Sequence, residues 1–86
     1  MSSVIEDLKS GNFTPTLHAQ ERMSEREISF DDIVHAGKTC KNSVKNLDNT
    51  WEIDGFDCDG KRLIVICVRY QKTLIITLFR KSRRRK

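Results

Sequence analysis

Three basic side chains recur at four-residue intervals in the segment His18-Ala19-Gln20-Glu21-Arg22-Met23-Ser24-Glu25-Arg26-Glu27-Ile28. If this segment is helical, His18, Arg22 and Arg26 share one face. Guanidinium groups bind phosphate through paired hydrogen bonds, and an imidazole exchanges a proton near neutral pH. The spacing therefore indicates a phosphate site in which His18 acts as an acid or a base.

An ordinary structural interpretation exists for the same residues. On a solvated helix, Arg22 and Arg26 would pair with neighbouring glutamates, and such exposed pairs contribute only about 0–1 kcal/mol. His18 would then bond a backbone group or a carboxylate at the start of the helix. The spacing is compatible with both interpretations.

The size and composition of the chain bound its class. Its 86 residues are 37% hydrophobic and 33% charged, which predicts one small domain with a modest core. Such a chain buries roughly 60–65% of its unfolded surface, and a homodimer would be one way to add buried area. The longest apolar run, 63–68, has the length of a strand, so we expect no membrane span. The first residues lack the pattern of a secretory signal, so we expect a cytoplasmic location.

The cysteine pattern gives no indication of a metal site. Cys40, Cys58 and Cys67 are widely spaced, no C-x-x-C motif is present, and neither histidine has a zinc-type spacing with them. We therefore expect no metal and no cofactor. Cys67 lies in an apolar run and is expected in the core.

The net charge of +4 comes from the C-terminal end of the chain. Six of the 16 basic residues stand there. Without them the chain has 10 basic and 12 acidic residues, a net charge of −2. Such a segment attracts a phosphate backbone without reading its sequence, and it equally suits a disordered, solubilising end. Only one aromatic residue, Phe79, lies beside it, so stacking on single strands is not expected. The candidate nucleic-acid-binding residues are Arg80, Lys81, Arg83, Arg84, Arg85 and Lys86.

Three short helices are predicted in the N-terminal half, over residues 4–10, 17–27 and 30–36. Their predicted N-caps are Ser3, Thr16 and Ser29, whose hydroxyl groups accept hydrogen bonds from the first helical turn. The segment 12–16, which holds the only proline, is expected to be a connection. The third helix is expected to face the core through Phe30, Ile33 and Val34.

After Gly37 the pattern changes to the alternation that is typical of strands. Strands are predicted over 50–56, 62–70 and 73–80, with a weaker one over 43–47. We expect residues 1–80 to form one α+β domain, with two to three N-terminal helices packed on a three- to four-stranded antiparallel sheet. The basic tail, 81–86, is expected to be disordered.

The pattern H-A-x-x-R-M-x-E-R-x-I, here His18 to Ile28, resembles the opening of the bacterial domain-of-unknown-function family DUF4258. The later W/Y-x-I/V-x-G segment of that family resembles Trp51 to Gly55, and its further glycine resembles Gly60. The resemblance covers roughly residues 16–80 and includes two apolar strands at its end. The family often has glycine where this chain has Glu27.

The resemblance implies a RelE-like fold, in the wider superfamily that includes barnase, whose members are commonly metal-independent ribonucleases. It implies functional roles for four residues, His18, Arg22, Arg26 and Thr77. The implied partners are RNA and, for a toxin-like protein, an antitoxin-like protein. The alternative is a non-catalytic module of the same fold that binds nucleic acid or another protein.

Cleavage of RNA without a metal ion needs a base for the 2′-hydroxyl group, cations for the phosphate and an acid for the leaving oxygen. Each acid or base contributes about 10²–10⁴-fold to the rate. His18 is one proton-transfer group, Arg22 and Arg26 would hold the phosphate, and Thr77 would add a hydrogen bond. The candidates for a second proton-transfer group are Glu25, His35 and Tyr70.

Overall fold

The computed structural model describes residues 4–69 and 72–80. The helices are α1 (Val4–Ser10), α2 (Leu17–Arg26) and α3 (Phe30–Lys38). The strands are β1 (Phe13–Pro15), β2 (Asn42–Lys45), β3 (Thr50–Phe56), β4 (Arg62–Arg69) and β5 (Thr73–Arg80). The predicted α+β class is confirmed. The predicted tail, 81–86, and the candidate Tyr70 lie outside the described residues.

The five strands form one sheet in the order β1-β5-β4-β3-β2. Strands β2 to β5 are antiparallel, as predicted, whereas β1 pairs parallel to β5 with Phe13 opposite Thr73. The sheet is therefore mixed and has one strand more than predicted. Strand β1 was expected to be a connection because it has three residues and contains Pro15, which only an edge strand tolerates well.

The helix ends follow the capping residues of the sequence. Thr16 Oγ1 accepts a hydrogen bond from the N–H of Ala19 at 3.2 Å. Ser29 and Asp32 form a reciprocal capping box, in which each side chain accepts from the backbone N–H of the other residue. Two of the three predicted N-caps are thus confirmed, and Ser3 lies outside the described part of the chain.

The C-cap residue of helix α2 is Glu27, whose backbone is left-handed with φ 56° and ψ 46°. The N–H of Glu27 donates to the carbonyl oxygens of Met23 and Ser24. This conformation favours glycine because a side chain crowds the backbone there. The family that the sequence resembles often has glycine at this position, so the backbone geometry gives a physical reason for that preference.

The core lies between one face of the sheet and the helices. Its buried sheet residues are Ile53, Leu63, Val65, Cys67, Ile75 and Leu78. Helix α3 approaches β3 so closely that a Cβ atom on Gly55 would lie 2.1 Å from the carbonyl oxygen of Ala36. Phe30 was expected to face this core, but it is 45% exposed. Its ring stacks instead on Phe13, with 4.5 Å between the ring centroids.

Strand β5 contains a β-bulge at Ile76. Ile66 lies opposite Thr77, while the next residue of β4, Cys67, lies opposite Ile75. Because paired residues project to the same side of a sheet, Leu78 and Arg80 lie on the helix side, and Thr77 and Phe79 lie on the other side. The side chains after the bulge therefore do not continue the alternation between the two faces of the sheet that the first half of β5 shows.

Candidate phosphate-binding site

Helix α2 is fixed to β5 at both of its ends. At its start, the N–H and the hydroxyl group of Thr16 each donate to the carbonyl oxygen of Ile75 at 2.9 Å. At its end, the guanidinium group of Arg80 donates to the carbonyl oxygens of Arg26 and Glu27. The ten residues of α2 rise about 15 Å, and the five steps from Ile75 to Arg80 in β5 span about 17 Å. The helix and this part of the strand therefore have similar lengths. The helix therefore runs along the half of β5 that lies beyond β1.

A cleft of about 360 Å³ lies between α2 and this half of β5. Its lining residues are Arg22, Arg26, Thr77, Leu78, Phe79 and Arg80. Four of them are consecutive in β5, and since strand side chains alternate between faces, the cleft follows the edge of the strand. We call this feature the α2–β5 cleft. It brings together Arg22, Arg26 and Thr77, three of the predicted site residues, with Arg80.

The two arginines of α2 differ in their partners. Arg22 forms an ion pair with Glu25 at 3.4 Å, and both side chains are accessible to water, where such pairs contribute little. Within residues 4–69 and 72–80, the side chain of Arg26 has no hydrogen bond or ion pair. Both guanidinium groups are therefore available to an anion in the cleft at small cost.

His18 is exposed in the first turn of α2 and does not line the cleft. The helix does place it on the face of Arg22 and Arg26, as predicted, about 6 Å along the axis from Arg22. Its ring has no hydrogen bond to the rest of the described chain. A phosphate held by Arg22 would therefore lie within one helical turn of an accessible imidazole.

Arg80 is bound mainly to the protein itself. Its Nε donates to Oδ2 of Asp57 at 2.8 Å, and a second nitrogen lies 3.9 Å from Oδ2 of Asp32. With its bonds to the end of α2, these contacts leave the side chain only 27% exposed. Arg80 was predicted to contact nucleic acid; in the structure its guanidinium group binds Asp57 and the end of α2, and the side chain also lines the cleft.

Asp57 is the fully buried partner of Arg80 in the β3–β4 turn. Its Oδ1 accepts from the N–H groups of Asp59 and Lys61 at 2.9 and 2.8 Å. Burial raises the pKa of Asp57, but the hydrogen bonds from Arg80 and these N–H groups outweigh it, so the pKa lies below its usual value. Asp57 is therefore ionised at neutral pH and balances the charge of Arg80.

The other candidates for proton transfer do not join the cleft. His35 Nδ1 lies 3.0 Å from the carbonyl oxygen of Phe56, and Glu25 pairs with Arg22 at the surface. Burial raises the pKa of the Cys67 thiol to about 12, and it also raises the pKa values of Cys40 and Cys58. None of these thiols is a ready nucleophile at neutral pH.

Phe79 lines the cleft, although the sequence did not predict it as a site residue. Because Phe79 is the only aromatic residue beside the basic tail, stacking on single strands was not expected from the sequence. The available signal was its spacing of two residues from Thr77, which puts both side chains on one face of a strand. Across the described parts of the chain, no three His, Cys, Asp or Glu side chains cluster closely enough to hold a metal ion.

Comparison with known protein families places most of the chain in a family. Residues 16–80 match the family described as Domain of unknown function (DUF4258). The match runs from the N-cap of α2 to the last residue of β5, so it includes every residue that lines the α2–β5 cleft. No curated protein and no solved structure matches the chain. Over the described residues, no helix has the length and apolar character needed to span a membrane.

Proposed function

This chain belongs to the DUF4258 family of domains of unknown function, and we propose that it is a RelE-like ribonuclease that binds and cleaves RNA without a metal ion. The observation that supports this proposal is the meeting of Arg22, Arg26 and Thr77 in one cleft. Two guanidinium groups and a hydroxyl group are suitable donors for the oxygens of a phosphodiester. The basic tail, 81–86, follows directly on the cleft residue Arg80 and would add contacts to the RNA backbone.

In the proposed reaction, the 2′-oxygen of a ribose attacks the adjacent phosphorus, and the bond from phosphorus to the 5′-oxygen breaks. The products are a 2′,3′-cyclic phosphate and a free 5′-hydroxyl group. A base takes the proton of the 2′-hydroxyl group, and an acid gives a proton to the leaving oxygen. Arg22 and Arg26 neutralise the charge that develops on the non-bridging oxygens. His18 exchanges one of the two protons.

One observation favours a second function, a non-catalytic module that binds the RNA backbone. The residues that line the cleft are arginines, a threonine, a leucine and a phenylalanine. None of these residue types is a usual proton-transfer group, and His18 lies outside the cleft. A protein with these residues alone would bind phosphate without moving a proton.

The experiment that separates these functions is incubation of the purified protein with a mixed RNA pool in EDTA. We expect the wild-type protein to cleave the RNA and leave cyclic phosphate ends. His18→Ala and Arg22→Ala should not cleave it, although their melting temperatures should stay close to that of the wild-type protein. Ser24→Ala, which changes another exposed residue of α2, is the matched control and should cleave normally.

Each remaining outcome has a definite meaning. If the wild-type protein binds RNA but does not cleave it, the protein is a binding module. If His18→Ala cleaves like the wild-type protein, the role assigned to His18 is wrong. If the protein neither binds nor cleaves RNA, the proposed function is wrong.

A further inference from the structure

We propose that Phe79 stacks on an unpaired nucleobase, so that the α2–β5 cleft selects single-stranded RNA. This inference rests on the proposed binding of an RNA backbone and names the class of RNA. Phe79 lines the same cavity as Arg22 and Arg26, and 42% of its surface is exposed. An aromatic face beside two cations is the combination that single-strand binding proteins use for base and phosphate.

The ring of Phe79 has a packed neighbour on the sheet. Phe79 lies opposite Ile64 of β4, and paired residues project to the same face. Ile64 is only 1% exposed, whereas Phe79 is 42% exposed. The aromatic side chain therefore stands on a well-packed strand pair, and a base can reach it without displacing the core.

The size of the cleft favours one nucleotide over a duplex. Its volume of about 360 Å³ is near the lower end of the range for small-molecule sites, and it suits one base with its sugar and phosphate. A duplex keeps its bases stacked inside the helix and presents mainly phosphates and sugars. A paired base would have to leave its stack to reach Phe79, so the unpaired strand binds more tightly.

The test measures binding of a labelled ten-nucleotide RNA by fluorescence anisotropy. The RNA carries 2′-O-methyl groups, so no 2′-hydroxyl group is present and the strand stays intact. Phe79→Leu, which keeps an apolar side chain over the sheet, should bind about tenfold more weakly, because stacking on an aromatic residue contributes on that order. Phe79→Tyr keeps the ring and should bind like the wild-type protein.

Phe30→Leu is the matched control. Phe30 is the other well-exposed phenylalanine of the described chain, at 45%, and it lies outside the cleft. This variant should bind the strand with unchanged affinity. Melting temperatures of all variants show whether each one is folded. Equal losses in Phe30→Leu and Phe79→Leu would overturn the inference.

A strand of the same length without bases separates stacking from charge. The wild-type protein should bind this abasic strand about tenfold more weakly than the normal strand, and Phe79→Leu should bind both equally. If the wild-type protein binds both equally well, the stacking role is wrong and the phosphate site stands. If it binds neither strand, the proposed function fails as well.

Discussion

Arg80 in β5 forms an ion pair with the fully buried Asp57 in the β3–β4 turn, with 2.8 Å between Nε and Oδ2. The same guanidinium group donates to the carbonyl oxygens of Arg26 and Glu27 at the end of α2. One side chain thus joins a turn of the sheet to the helix that carries the proposed phosphate ligands. The same side chain also lines the α2–β5 cleft.

Arg80→Met should lower the free energy of unfolding by about 3 kcal/mol or more, because it leaves the carboxylate of Asp57 buried without its cation. Asp57→Asn should have a cost of similar size. Urea denaturation of both variants and of the double variant measures the coupling. We expect the double variant to lose less than the sum of the single losses. Strictly additive losses would contradict a direct interaction.

The Arg80–Asp57 pair should also make stability depend on pH in the acid range. The folded-state pKa of Asp57 lies below its usual value, so ionised Asp57 stabilises the folded state above the usual aspartate pKa of about 3.9. This contribution is lost as the pH falls through the folded-state pKa. Urea midpoints between about pH 6 and pH 2 should therefore fall less in Asp57→Asn than in the wild-type protein. Parallel curves would contradict this role.

Gly55→Ala should destabilise the protein severely, by about 3 kcal/mol or more, because overpacking against a backbone atom cannot relax easily. The added Cβ would lie 2.1 Å from the carbonyl oxygen of Ala36. Gly60→Ala is the control, since no atom lies within 4 Å of its Cβ position, and only its φ of 84° carries a cost. That cost is about 1–2 kcal/mol. Thermal unfolding of both variants makes the comparison, and equal losses would contradict the close approach of α3 to β3.

Glu27→Gly should stabilise the protein by about 0.5–1 kcal/mol, because glycine adopts the left-handed conformation at the end of α2 without crowding. Glu25→Gly is the control, and in the last turn of the helix it should destabilise by a similar amount. Chemical denaturation gives both values. A destabilised Glu27→Gly variant would mean that the Glu27 side chain contributes more than its backbone conformation costs.

Arg22→Ala and Arg26→Ala should each weaken RNA binding and reduce its salt dependence. Loss of one phosphate contact lowers the slope of log affinity against log salt by about 0.7 for a single strand. Both side chains are at the surface, so stability should change little. Arg62→Ala, which removes an arginine outside the cleft that pairs with Asp54, is the control. An unchanged slope in both cleft variants would exclude them as phosphate ligands.

Much of this fold is visible in local sequence patterns. Strands β3 and β5 have the predicted bounds, because alternation and turn residues define them within a few positions. Helix α2 begins after Thr16 as predicted because the cap is a local hydrogen bond. The face shared by His18, Arg22 and Arg26 follows from helical geometry alone.

The features that the sequence did not predict depend on distant partners. Strand β1 exists because Phe13 meets Thr73, and no local pattern marks that pairing. The bulge at Ile76 shifts the alternation of β5, so that Thr77 and Phe79 lie on the side of the sheet away from the helices, which a strict period of two along the whole strand does not anticipate. Arg80 looked like the first residue of a basic tail, and only the fold brings it to Asp57.

The bulge at Ile76 also gives the chain a place where its length can vary. Ile75 projects to the helix side of the sheet and Thr77 to the other side. If residue 76 were absent, the side chains of β5 would therefore still alternate between the two faces. Residue 76 can therefore be lost without turning Thr77 or Phe79 to the opposite side of the sheet. The half of β5 that supports the core and the half that borders the cleft can thus change independently in evolution.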